Sequence, residues 1–97
     1  MDKLEYKKGD EVFVLCEVYD AGPNDEFCIS LENSRWYINR KAVQIPELPH
    51  GDRWVPGEVK GYVIKDLNDD VLINLPYERI IGNNPLKVSK RLIRPCA

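Results

Sequence analysis

Apolar and polar residues alternate along much of this chain with a period of two. In Glu11–Tyr19, Val12, Val14, Cys16 and Val18 fall on one side, and Phe13, Leu15 and Tyr19 on the other. Phe27, Ile29 and Leu31 alternate with Cys28, Ser30 and Glu32, and Trp36 and Ile38 flank Tyr37. Successive side chains of a strand point to opposite faces, so the pattern predicts strands with a buried face. Val59, Gly61 and Val63 repeat it against Tyr62 and Ile64. The segments around residues 11–19 and 59–64 are apolar on both faces, the mark of a strand covered on both sides. Phe13, Leu15, Tyr62 and Ile64 are therefore expected at a junction between two halves, or in a homodimer contact. No segment has a helical period; single 3-10 turns around Arg40–Val43 and Lys90–Ile93 are all the helix expected.

Turn residues separate these segments. Asp20, Ala21, Gly22, Pro23, Asn24 and Asp25 form one such run, and Asp66, Leu67, Asn68 and Asp69 another. Gly and Asn tolerate positive φ, and Pro pre-sets φ near the turn value.

The two runs belong to a longer correspondence. Asn24–Leu31 aligns with Asn68–Leu75, with four of eight positions identical. Upstream, Val14, Cys16 and Val18 match Val59, Gly61 and Val63. Downstream, Trp36–Val43 resembles Leu86–Ile93. A matched turn, strand and basic pair in one order predicts a structural duplication. The expected organisation is a first barrel repeat over residues 1–45, a proline-rich linker over 46–53 and a second repeat over 54–97. The second repeat carries a longer loop, 76–85. Pro46 and Pro49 favour an extended connector.

The order of strands resembles a Src-homology-3-like barrel. Gly9, Asp10, Glu11 and Val12 open a strand; Phe27, Ile29 and Leu31 follow; Trp36, Tyr37 and Ile38 precede a short polar turn and Val43. Over residues 9–43 this is similar to small KOW-like β-barrel proteins of Gram-positive phages and prophages. Pro56, Gly57 and Glu58 replace the opening in the second half, and Leu86 stands in place of the aromatic. The resemblance implies an all-β fold of two tandem pseudo-repeated small barrels packed on each other. A barrel of some 45 residues buries too little surface to be stable alone, so mutual packing is expected.

Composition narrows the function classes. The chain has 97 residues, 43% hydrophobic and 31% charged, with a net charge of −2, as in an ordinary globular domain. No apolar run is long enough for a membrane helix. The first eight residues lack a signal-peptide pattern. Cys16, Cys28 and Cys96 are too few and scattered for a disulfide framework, which favours a reducing compartment. A cytoplasmic protein is expected, in the host cytoplasm if phage-encoded.

Catalytic chemistry finds little support. His50 is the single histidine and lies in the linker, and Cys16 and Cys28 fall on predicted strands. Positions 16, 28, 50 and 96 contain no closely spaced pair of zinc ligands. The paired acids Asp10–Glu11, Asp25–Glu26 and Asp69–Asp70 read as solvated turn or strand-end residues. No enzyme, cofactor or metal is expected.

Charge is uneven. Residues 1–32 hold nine acids and three bases, whereas residues 79–97 hold five bases and no acids. The leading expectation is a non-catalytic protein-binding module, a phage-encoded inhibitor or adaptor docking on a host protein. Aromatic residues and Arg supply most binding energy at interfaces. The candidate contacts are Tyr19, Arg35, Trp36 and Tyr37, with Tyr77 and Arg79 in the longer loop; Trp36 suits the core equally well. The alternative is nucleic-acid binding through Lys87, Lys90, Arg91 and Arg94, since phosphates attract clustered cations.

Overall fold

The computed structural model describes residues 5–20, 25–46, 53–81 and 85–96. Its strands are β1 (Glu11–Tyr19), β2 (Glu26–Leu31), β3 (Ser34–Asn39), β4 (Val43–Gln44), β5 (Val55–Asp66), β6 (Asp70–Asn74), β7 (Glu78–Ile81), β8 (Leu86–Ser89) and β9 (Ile93–Pro95). Single 3-10 turns cover Arg40–Ala42 and Lys90–Leu92. The fold is all-β, as the alternation predicts.

Among the described residues, all nine strands share one antiparallel sheet, in the order β7-β3-β2-β1-β5-β6-β8, with β4 and β9 off this path on β5 and β1. Its spine is the long ladder between β1 and β5, running from Glu11↔Tyr62 to Val18↔Val55. The far edge of β1 is divided: Glu17–Tyr19 pair with β2 and Val12–Val14 with β9. The far edge of β5 is divided likewise, between β6 and β4. Each short closing strand, β4 or β9, thus pairs with the long strand of the other half. A strand that feeds two neighbours on one edge forces the sheet to curl, which gives a barrel-like shape. The two segments joined by residues 46–53 therefore share one sheet. The linker itself, with His50, lies largely outside the described residues.

Local chemistry explains the turns. Glu32 (φ 49°) and Asn33 (φ 63°) are consecutive left-handed residues between Leu31 and Ser34, the geometry of a type I′ hairpin whose twist matches the flanking strands. Asn39 accepts a hydrogen bond from the Lys41 N–H at 2.9 Å, and Ser89 Oγ accepts one from the Arg91 N–H at 3.3 Å. These caps satisfy N–H groups that a one-turn helix leaves open.

The core lies on one face of the sheet. Val12, Val14, Cys16 and Val18 of β1 meet Phe27, Ile29, Trp36, Ile38, Val59, Val63, Val71, Ile73 and Val88, all buried. Fully burying an aliphatic or Phe side chain of this kind contributes roughly 1.5–3 kcal/mol. Two glycines permit the closest approaches. A Cβ at Gly57 would lie 2.6 Å from Val18 Cγ2 and 2.7 Å from Ile45 Cγ2, and one at Gly61 would lie 2.9 Å from Leu75 Cδ2.

Two expectations are corrected. Within the single chain the central strands are not covered on both faces: Leu15 is 43% exposed, and Phe13, Tyr62 and Ile64 are half-buried. One face of the curled sheet encloses the core, and the reverse is shielded in part by long charged side chains, such as Arg94 over Phe13. The segment 76–85 is not loop throughout. It contains β7, which pairs with the edge of β3 (Arg35↔Ile81, Trp36↔Arg79, Tyr37↔Glu78).

Candidate functional site: an aromatic and arginine row outside the core

On the reverse of the sheet, the register lines up one transverse row. Tyr19 of β1 faces Cys28 of β2, and Cys28 faces Tyr37 of β3. Their neighbours Val18, Ile29, Trp36 and Ile38 point into the core, so this row points away from it. Continuing the β1–β5 ladder one pair beyond Val18↔Val55 brings Trp54 beside Tyr19. The two rings stack, with centroids 5.0 Å apart and planes at 25°. The Arg35 guanidinium lies 5.5 Å from the centre of the Trp54 ring.

These contacts hold the row in one arrangement. An aromatic pair is worth about 0.5–1.5 kcal/mol beyond its buried area, and an exposed cation–π contact about 0.5–1 kcal/mol. Cys28 is 7% exposed and is buried separately from the main core cluster. Burial pushes its thiol upward, while the Arg35 charge acts in the opposite sense. The row therefore offers flat, half-buried aromatic surface with one exposed guanidinium.

The structure brings Tyr19, Arg35 and Tyr37 onto this face and adds Trp54. It places Trp36 elsewhere. That side chain is 0% exposed, and its indole Nε1 has no hydrogen-bond partner among the described residues. As a surface contact Trp36 is corrected to a core residue, because the period of two sends it to the opposite face from Arg35 and Tyr37. Tyr77 is half-buried against the core and donates its hydroxyl to the Lys60 carbonyl at 2.7 Å. For Arg79 the backbone alone is described, opposite Trp36 on β7. Trp54 does not stand out in the sequence because it precedes its strand without an alternating context. The signal was available in the ladder, since Tyr19 and Trp54 become neighbours once Val14 is set opposite Val59.

Of the basic cluster in the other half, Lys87, Lys90 and Arg94 meet carboxylates. Lys90 Nζ lies 2.9 Å from Asp66 and 5.8 Å from the Tyr6 ring centre. Arg94 makes two bonds of 2.9 Å to Glu58. Lys87 is 3.7 Å from Asp70, and Arg91 is exposed on its 3-10 turn. Asp66 also accepts the N–H groups of Tyr6 (2.9 Å) and Asn68 (2.7 Å). The Tyr6 N–H and the Lys90 ammonium are the leading causes that lower its pKa from 3.8 to about 2. A hollow of about 560 Å³ lies beside this group, between Tyr6, Asp69, Asp70, Ser89, Lys90 and Arg91.

The cysteines are free. Burial, reinforced by Glu58 and Glu17, pushes the Cys16 thiol up to about 12. Desolvation also raises Cys96. Among the described residues no cluster of His, Cys, Asp and Glu could hold a metal ion, and no helix is long and apolar enough to cross a membrane. Comparison with known proteins finds no matching family model, curated protein or solved structure.

Proposed function

We propose that this chain is a non-catalytic protein-binding module that docks on its partner through Tyr19, Trp54, Arg35 and Tyr37. The reading rests on one observation: a stacked Tyr–Trp pair topped by an arginine, held on the sheet face away from the core. Aromatic anchors and Arg dominate the energetics of protein interfaces, and a preordered set loses less side-chain entropy on binding. The carboxylate partners of Lys87, Lys90 and Arg94 favour this reading over phosphate binding by that cluster. A phage-encoded adaptor or inhibitor acting in the host cytoplasm fits the resemblance of residues 9–43.

We further propose that the scaffold is a tandem pseudo-repeat of two Src-homology-3-like units that exchange their closing strands. Support comes from recurring register. Val43↔Val59 and Gln44↔Glu58 in one half correspond to Ile93↔Val14 and Arg94↔Phe13 in the other. Glu26↔Asn39 and Phe27↔Ile38 correspond to Asp70↔Ser89 and Val71↔Val88. Val14 and Val59, counterparts in the sequence correspondence, face each other on the central ladder, as a two-fold axis through that pair requires.

The test is capture of partners from a bacterial lysate on the tagged chain, followed by affinity measurement with the purified partner. Trp54→Ala and Arg35→Ala should each weaken binding by more than about 1 kcal/mol, while Arg91→Glu leaves it unchanged. Capture of nucleic acid alone, released by added salt, would contradict the proposal. So would a protein partner insensitive to Trp54→Ala.

A further inference from the structure

The central ladder has a gap on each of its outer edges, and the two gaps are filled differently. On β5 the gap lies between Val59, the last residue paired with β4, and Tyr62, the first paired with β6. Tyr77 fills it and donates its hydroxyl to the Lys60 carbonyl at 2.7 Å. That carbonyl therefore points away from β1, although Lys60 faces Phe13 across the ladder. In an antiparallel ladder, facing pairs alternate between those that bond to each other and those that turn their N–H and C=O outward. Phe13↔Lys60 is of the outward kind, and two residues along, Leu15↔Glu58 is in the same phase.

Leu15 accordingly turns its carbonyl toward the gap on β1, between Val14, paired with β9, and Glu17, paired with β2. Here the hairpin passes from β2 to β3 through Glu32 and Asn33 alone, and no segment corresponding to Tyr77 intervenes. A groove of about 510 Å³ occupies the place, lined by Leu15, Cys16, Ser30, Leu31, Pro56 and Leu92 among others. Glu17 also lines it, one residue along β1 from the buried Val18 and two from Tyr19 of the aromatic row.

We propose that this groove receives a tyrosine side chain of the protein partner, its ring against Leu15 and Leu92 and its hydroxyl donated to the Leu15 carbonyl. The partner tyrosine takes the position that Tyr77 holds in the other half. The inference rests on the protein-binding reading, since the groove continues the same face, and it specifies the partner as one that presents an exposed tyrosine.

The probe is N-acetyl-tyrosinamide, titrated into the isotope-labelled full chain and followed by amide chemical shifts. Saturable shifts are expected at Leu15, Cys16, Ser30, Asn33 and Leu92. N-acetyl-phenylalaninamide, lacking the donor, should bind roughly threefold to tenfold more weakly. Ser30→Trp, which fills the groove from β2, should abolish the shifts. On the unaltered chain, transferred Overhauser effects from the probe ring should reach the Leu15 and Leu92 methyls, which keeps the test independent of how that variant folds. Trp54→Ala should leave probe affinity within twofold. Equal binding of the two probes, shifts confined to Tyr37 and Trp54, or no shifts up to the solubility limit would overturn the groove. If the probe fails while Trp54→Ala still abolishes partner binding, the groove assignment falls and the protein-binding reading stands. The reverse pattern keeps the groove and removes that reading.

Discussion

One transverse row of the sheet has a counterpart in each half of the molecule. In the first it reads Tyr19–Cys28–Tyr37, and in the second Lys65–Leu72–Lys87, where the register shifts between Val63 and Lys65 and skips Ile64. The inward neighbours are alike in both: Val18, Ile29 and Trp36 on one side, Val63, Ile73 and Leu86 on the other, all buried. Apart from that shift and the exchange of Trp36 for Leu86, the difference lies in the outward residues. Backbone register and inward packing build the scaffold, and the solvent-facing residue of each pair is free to differ. The first half carries aromatic rings, joined by Trp54 from the neighbouring strand. The second carries lysines, of which Lys87 lies near a carboxylate.

The comparison breaks most sharply at the inward positions. Trp36→Ala should cost about 3–5 kcal/mol and its counterpart Leu86→Ala about 2–5 kcal/mol. Against a total of roughly 5–15 kcal/mol for a small domain, either loss should lower the midpoint of a single unfolding transition followed by circular dichroism. Two separate transitions would show halves that stand alone.

A second contrast concerns how each half secures its cation. Arg40 meets Asp20 and lies 4.5 Å from the centre of the Phe27 ring, whereas Lys90 meets Asp66 beneath Tyr6. The pKa of Asp66 is lowered in the folded chain, so its ionised form favours folding. That contribution is complete above the ordinary value of 3.8 and is lost as pH falls toward about 2. The thermal midpoint should therefore drop through this interval, and Asp66→Asn should flatten the drop. An identical slope in the variant would contradict the assignment.

The smallest effect on stability is expected at the outward row itself. Tyr37→Lys, which gives the first half the residue of the second, should change stability by no more than about 0.5 kcal/mol. Partner affinity, measured by calorimetry, should nevertheless fall at least fivefold. A large stability loss would make the row a structural element and not a contact surface.

Much of this fold was legible in the chain. The period of two marks β1 over Glu11–Tyr19, and the polar turns with basic pairs mark both 3-10 turns. Three features were not legible, for definite reasons. β7 is four residues long and pairs with β3, more than forty positions away, so no local alternation reveals its partner. Leu15 and Phe13 look like buried residues by type, but Glu58 and Lys60 stand opposite them and no apolar layer covers that face, so Leu15 is exposed and Phe13 only half-buried. Trp54 acquires meaning only through its neighbour Tyr19, which the long ladder supplies.

In the proposed tandem repeat, each half is closed by the short strand of the other, β4 on β5 and β9 on β1. Gly57→Ala forces a Cβ to within 2.6 Å of Val18 and 2.7 Å of Ile45, at the crossing of β1, β5 and the end of β4. Overpacking of this kind should cost about 1–3 kcal/mol. Native-state hydrogen exchange on this variant should lower the protection of Ile29 and Ile38 in one half and of Val71 and Ile73 in the other by equal amounts. Loss confined to one pair, with the other unchanged, would contradict the account.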